Sequence, residues 1–202
     1  MEELLQKISK LYFQFGIRSV TMDDLARELG VSKKTLYVHF KDKDDIVDKV
    51  MMYQLQNHRC DMEFLEIKNK NAIDQLLCVS KFLIHHVQKI HPSINYDLMK
   101  YYPKIWQKVI VYKNETIYNR IKTNIVRGIE EGMYRDDFNV EVIAKLYVLR
   151  LDMAIDDEWL VKKKLTLNEI FNNIFIYHIR GIASKKGLAY LEKAIKENRL
   201  NK

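Results

Sequence analysis

Residues 21–43 read TMDDLARELGVSKKTLYVHFKDK, and their polar side chains are of the kinds that bind a phosphate backbone and read base edges. Lys33 and Lys34 carry mobile ammonium groups. Thr21, Ser32, Thr35, Tyr37 and His39 add neutral donors. Lys43 stands where a further helix would begin, so that its ammonium and the helix N-terminus favour the same anion. Contacts to DNA divide into donors that hold the backbone and a few side chains that reach base edges. The spacing places Lys33 and Lys34 in the first turn of a helix, the part that enters a groove. Thr35, Tyr37 and His39 follow along it.

Such donors need a rigid support. Leu4, Leu5, Ile8, Leu11, Tyr12 and Phe15 keep i, i+3, i+4 spacing and predict a first amphipathic helix. Thr21-Met-Asp-Asp24 has the form of a capping box that opens a second helix. That helix carries Leu25, Ala26 and Leu29 and stops at Gly30. Ser32 caps a third, with Leu36 and Phe40 on its apolar side. Asp42-Lys-Asp-Asp45 has cap-like spacing again and opens a fourth. Two short helices around a tight turn are the layout of a helix-turn-helix. Residues 1–48 hold 8 Lys/Arg against 9 Asp/Glu, a net −1, yet residues 33–43 alone carry +3. Positive charge is therefore focused on one element, and Asp23, Asp24, Asp44, Asp45 and Asp48 must point away from phosphates.

With these residues in view, the segment from Gly16 through Lys43 resembles the N-terminal signature of the TetR family of transcriptional regulators. Ala26, Gly30-Val31-Ser32, Thr35-Leu36-Tyr37, His39-Phe40 and Lys43 carry the likeness, which covers about residues 5–50. Further on, only Gly128-Ile-Glu-Glu-Gly132 followed by Arg135-Asp-Asp137 is similar to a recurring family pattern. The resemblance implies a homodimeric all-α repressor whose C-terminal domain holds a ligand pocket and a dimer bundle, with ligand binding releasing DNA. Carried over by position, Thr35, Tyr37, His39 and Lys43 contact the backbone, Thr21 contacts phosphate, and Lys33 and Lys34 read bases. Lys34 departs from the small residue common in the family after the cap, which adds a phosphate contact or extends base readout.

The remaining chain fits an all-helical protein, since 2 Pro and 6 Gly in 202 residues leave little material for turn-rich β architecture. About nine or ten helices are expected. They form an N-terminal three-helix DNA-binding domain over residues 1–48 and a C-terminal helical ligand-binding and dimerisation domain over 49–202. Residues 140–155 and 167–182 are apolar around the whole helix axis, which leaves neither a water-facing side. A two-fold pair of these helices would make a four-helix bundle between subunits, with Val148, Leu151, Ile155, Phe171, Ile174, Phe175 and His178 at the interface.

The cluster Tyr96, Tyr101, Tyr102, Trp106 and Tyr112 suggests a pocket for an apolar or aromatic small-molecule effector. His58, Met62, Phe82, His86, Trp106, Ile110, Asn114 and Tyr147 are its expected lining. His85 and His86 project about 100° apart on a helix and cannot share an ion, so no metal is expected. No cofactor motif or catalytic arrangement is evident, and the expectation is a regulator rather than an enzyme. Cys60 and Cys78 fit reduced thiols, and no segment approaches the ~18 apolar residues of a membrane span, which together place the protein in the cytoplasm. The expected partners are a palindromic double-stranded operator and a second copy of the chain. The alternatives are a ligand-independent regulator controlled by a protein partner and a non-specific architectural DNA binder.

Overall fold

A computed structural model of the chain describes residues 1–64, 70–87, 90–156 and 165–197, with the side chains of 57–64, 83, 86, 87, 113, 151–156 and 167 outside the description. Among the described residues there are ten helices and no strand. They are α1 (Glu2–Phe15), α2 (Met22–Leu29), α3 (Lys33–His39), α4 (Lys43–Phe64), α5 (Ala72–Val87), α6 (Ser93–Tyr101), α7 (Pro103–Glu130), α8 (Val140–Asp156), α9 (Leu167–Ile182) and α10 (Lys185–Lys196). None is long and apolar enough to cross a membrane.

The helix starts follow local chemistry. Thr21 and Thr166 each close a full capping box, with Asp24 and Glu169 as the reciprocal partners. Asp42 Oδ1 accepts from the Asp45 N–H at 2.8 Å and caps α4. Ser184 accepts from the Gly187 N–H at 3.1 Å and starts α10 at Lys185. Periodicity alone misses this turn because Lys185 and Lys186 are exposed and carry no apolar signal.

The chain forms two compact units: residues 1–61 with 89–113, and residues 62–88 with 114–202. This differs from a boundary at residue 48. Compactness groups most of α4, all of α6 and the start of α7 with the N-terminal helices. The reason is visible in the first core. There Ile8 and Tyr12 of α1, Leu25 of α2, Leu36 of α3 and Ile46, Val47 and Val50 of α4 are buried together with Ile94, Leu98, Tyr102, Ile105 and Val109. Three helices of 7–14 residues are too small to bury their apolar faces alone.

The second unit has its own core. It contains Ile73, Leu76 and Leu77 of α5, Ile121 and Ile125 of α7, Ala144 and Tyr147 of α8, Phe171, Phe175 and Ile179 of α9, and Leu191 and Ala194 of α10. Helix α9 packs on α5 and on α8. The segment after α7 is pinned from both sides. Arg135 N–H donates to Ile182 O and Ser184 N–H to Met133 O, each at 2.9 Å. The Tyr134 ring fills the space beside Gly128, where a Cβ would lie 2.0 Å from the ring. Its hydroxyl donates to Asn124 Oδ1 at 3.2 Å, and Asn124 Nδ2 donates to Ala72 O at 2.9 Å.

Candidate nucleic-acid interface

Helix α3 is held by its own apolar residues and offers its polar ones. Leu36 and the following Phe40 are buried at 1% exposure each. Gly30, at φ +67°, takes the left-handed conformation that turns the chain sharply out of α2. Its N–H and that of Val31 return to Arg27 O and Ala26 O. Ala26 is buried where α2 meets α3. Ser32 then accepts from the Thr35 N–H at 3.0 Å and starts α3. The outward side of α3 carries Lys33, Lys34, Thr35, Tyr37, Val38 and His39, all exposed. The structure thus brings the predicted donors of this helix onto one solvent face.

Several of those donors already have partners. Lys33 Nζ lies 2.7 Å from Asp23 Oδ2, and this hydrogen bond is the main cause that raises the lysine's pKa. Ser32 and Thr35 hydroxyls bond each other at 2.8 Å. Thr21 Oγ1 donates to Asp24 Oδ2 at 2.6 Å and accepts from the Asp24 N–H at 3.2 Å. Those bonds to Thr21, with Arg27 behind them, hold the Asp24 carboxyl down at about 2. The acidic residues of the motif are therefore used as caps and ion pairs: Asp23 on Lys33, Asp24 in the capping box, Asp45 on Lys49 at 2.8 Å, and Asp48 on Lys108 at 2.7 Å.

Lys43 has a second role that its position in the sequence does not reveal. Its Nζ turns inward and donates to Val20 O at 2.6 Å and more weakly to Arg18 O at 3.5 Å. It thereby fastens the start of α4 to the segment entering α2. Desolvation, and next the nearby Arg18, lower its pKa. Sequence reasoning also passed over Val38, the most exposed large apolar residue among the described residues at 75%. The signal was present, since Val38 falls outside the Leu36–Phe40 apolar register. Lys49 was missed as well: its ammonium reaches His39 O at 3.2 Å and lies over the Phe40 ring, closing the C-terminal end of α3.

The residues expected to line a pocket are divided between the two units. Trp106 and Ile110 belong to the first unit, where Trp106 packs half-buried against the N-terminal core. Phe82, Asn114 and Tyr147 belong to the second. The side chains of His58, Met62 and His86 lie outside the described residues. A groove of ≈ 420 Å³ on α7, lined by Asn119, Lys122, Thr123, Val126, Arg127 and Glu130, contains none of the expected residues.

The expected dimer residues differ in exposure. Val148, Phe171, Phe175 and His178 are buried in their own chain at 2% exposure or less. Phe171 and Phe175 belong to the second unit's core. Ile174 is half-buried, and the side chains of Leu151 and Ile155 lie outside the described residues. The apolar surface that α8 and α9 do expose is Val142, Leu146 and Leu149, an i, i+4, i+7 stripe, with Tyr177 at 72% exposure.

Comparison with known proteins agrees with this architecture. Residues 4–50 match the family model of bacterial regulatory proteins, tetR family. The HTH-type transcriptional regulator YvaF of Bacillus subtilis is 22% identical over 184 residues, which span 91% of this chain and 95% of YvaF. A transcriptional regulator from Cytophaga hutchinsonii superposes with a TM-score of 0.72 at 18% identity, over 91% of this chain and 98% of that one. FadR of Bacillus subtilis in complex with stearoyl-CoA superposes with a TM-score of 0.67 at 17% identity, over 89% and 98%. The helix-turn-helix built on α2 and α3 lies within the segment, residues 4–50, that matches the tetR family of bacterial regulatory proteins, and the all-helical fold behind it is the fold of the solved structures it superposes on.

Proposed function

We propose that the protein is a sequence-specific DNA-binding transcriptional regulator, a homodimeric repressor released from its operator by a small molecule. The observation that carries the DNA reading is the outward face of α3. Cations, hydroxyls and one apolar side chain stand there together, while Leu36 and Phe40 are buried beneath them. In this reading Tyr37, His39, Thr35 and Thr21 hold phosphates, Lys33 and Lys34 reach base edges, and Val38 meets a thymine methyl. Lys43 has one N–H left beyond its two carbonyl bonds, and that donor meets a phosphate. Two copies of α3 would enter successive major grooves roughly 34–36 Å apart.

The dimer in this proposal uses the exposed stripe Val142, Leu146 and Leu149 with Tyr177, and Ile174 at its margin. FadR in complex with stearoyl-CoA supports an apolar effector for the second unit. A ligand releases DNA only through its differential affinity for the bound and free states. The test is a gel-shift panel with the purified chain. Binding to one palindromic site at least 10³-fold tighter than to random duplex is the expected result, since specific sites are typically preferred by that much. Equal affinity for both overturns the reading.

A further inference from the structure

Arg150 of α8 is half-buried, and its Nη1 is shut away from solvent with no hydrogen-bond partner. Its Nη2 meets His178 Nδ1 of α9 at 3.1 Å. The arginine must be the donor in that bond, because a guanidinium has no acceptor. His178 therefore carries its proton on Nε2, and Nε2 is also buried without a partner. Tyr147, one turn before Arg150, is 1% exposed, and its hydroxyl too has no partner. The rings of Tyr147 and His178 lie 4.6 Å apart, and Phe175 closes the other side of Tyr147 at 5.7 Å.

His178 thus holds one edge of the guanidinium and turns its own Nε2–H away from it, while Nη1 and the hydroxyl of Tyr147, one helical turn away, are left as buried donors that no carboxylate among the described residues answers. The only other contact shown for Arg150 is the Tyr177 ring, 5.2 Å from its Cζ. A guanidinium set against a neutral imidazole in an apolar core is costly unless something pairs with it. Each unpaired buried donor adds to that cost. Arg150 and Tyr147 have the chemistry to receive one carboxylate: a guanidinium nitrogen for a charge-assisted pair, and a neutral hydroxyl for a remaining lone pair. The neighbouring Phe175 and the Tyr147 ring suit an apolar body on the same ligand.

We propose that Arg150 and Tyr147, with His178 holding the guanidinium in place, form the carboxylate-receiving end of an effector site in the second unit, for small organic acids with an apolar or aromatic body. This rests on the effector-released reading above and names the effector's chemical class. A carboxylate relieves a penalty that exists only while the site is empty. Its binding therefore favours whichever arrangement of α8 and α9 brings the Arg150 and Tyr147 donors onto it.

The test is calorimetric titration of the full chain, without DNA, with sodium benzoate, octanoate and tetradecanoate, each against its primary amide. At least one acid is expected to bind at least about tenfold tighter than its amide, the minimum for a charge-assisted pair. Arg150→Gln is expected to abolish that preference, and Tyr147→Phe, which keeps the ring packing, to reduce it several-fold. No binding by any acid, equal binding by acid and amide, or an unchanged preference in both variants overturns the proposal. So does dissociation of the dimer in Arg150→Gln when the wild type binds no acid, which would assign the counter-charge to the second copy. Acid binding that depends on Arg150 but leaves operator affinity unchanged keeps this site and rejects ligand release instead.

Discussion

In the proposed reading Asp23 competes with DNA for Lys33. The pair is exposed on both sides and is screened by salt. Asp23→Asn should therefore tighten DNA binding up to about fivefold at low salt and less at high salt, measured by fluorescence anisotropy. Lys33→Ala should change preference at one base pair by about 1–3 kcal/mol. Tyr37→Ala should instead weaken binding to every sequence alike. A reversed pattern would exchange the two roles. At this scale the sequence was legible where a side chain bonds a neighbour three or four residues away, as Thr21 does with Asp24 and Ser32 with Thr35. It was silent where the partner is distant. Nothing local to Lys43 indicates that its ammonium will be used on Val20 O, 23 residues back in the chain.

The elements depend on a few buried contacts and on two titrating features. Leu36→Ala should cost about 2–5 kcal/mol and loosen α3 before the second unit, because Leu36 is the main residue anchoring that seven-residue helix. Gly128→Ala should destabilise the second unit, since the new methyl meets the Tyr134 ring rather than a flexible tip. In the capping boxes, Asp24 and Glu169 both have carboxyls held below their ordinary values by bonds to Thr21 and Thr166. Their contribution is present above the unfolded value near 4 and is lost as pH falls toward 2.

His178 behaves differently. Burial, helped by Arg150, pushes its pKa down to about 3. Between that value and about 6.5 the unfolded chain binds a proton that the folded chain does not. Stability should therefore fall as pH drops through this window, by up to about 1.4 kcal/mol per pH unit. Denaturant melts at pH 7, 6, 5 and 4 check this, and His178→Gln should flatten the slope. The apolar surround of α8 and α9 was readable from sequence, but which side faces inward was not. Val148, Phe171 and Phe175 look the same on a helical wheel as Leu146 and Leu149 until α5 and α10 are in place.

For the whole molecule, recognition and pairing are separable. Leu146→Glu with Leu149→Glu should give a folded monomer by analytical ultracentrifugation, because both side chains are about half exposed and outside the core. That monomer should lose most operator affinity while its α3 surface is intact, since a palindrome is read by two copies. The division into units was only partly visible in the sequence. The helices themselves were marked by caps and periodicity. The assignment of α6 and the start of α7 to the N-terminal unit depends on Ile94, Leu98, Tyr102 and Ile105 meeting Tyr12 and Val50 in one core, which is a long-range fact. The central claim is that α3 reads a specific palindrome, and selection of bound DNA from a random duplex library tests it most directly. The account predicts enrichment of one two-fold-symmetric sequence with half-sites one helical turn or a multiple of it apart, lost in Tyr37→Ala. Recovery of unenriched DNA, or the same enrichment by the Tyr37→Ala variant, would contradict it.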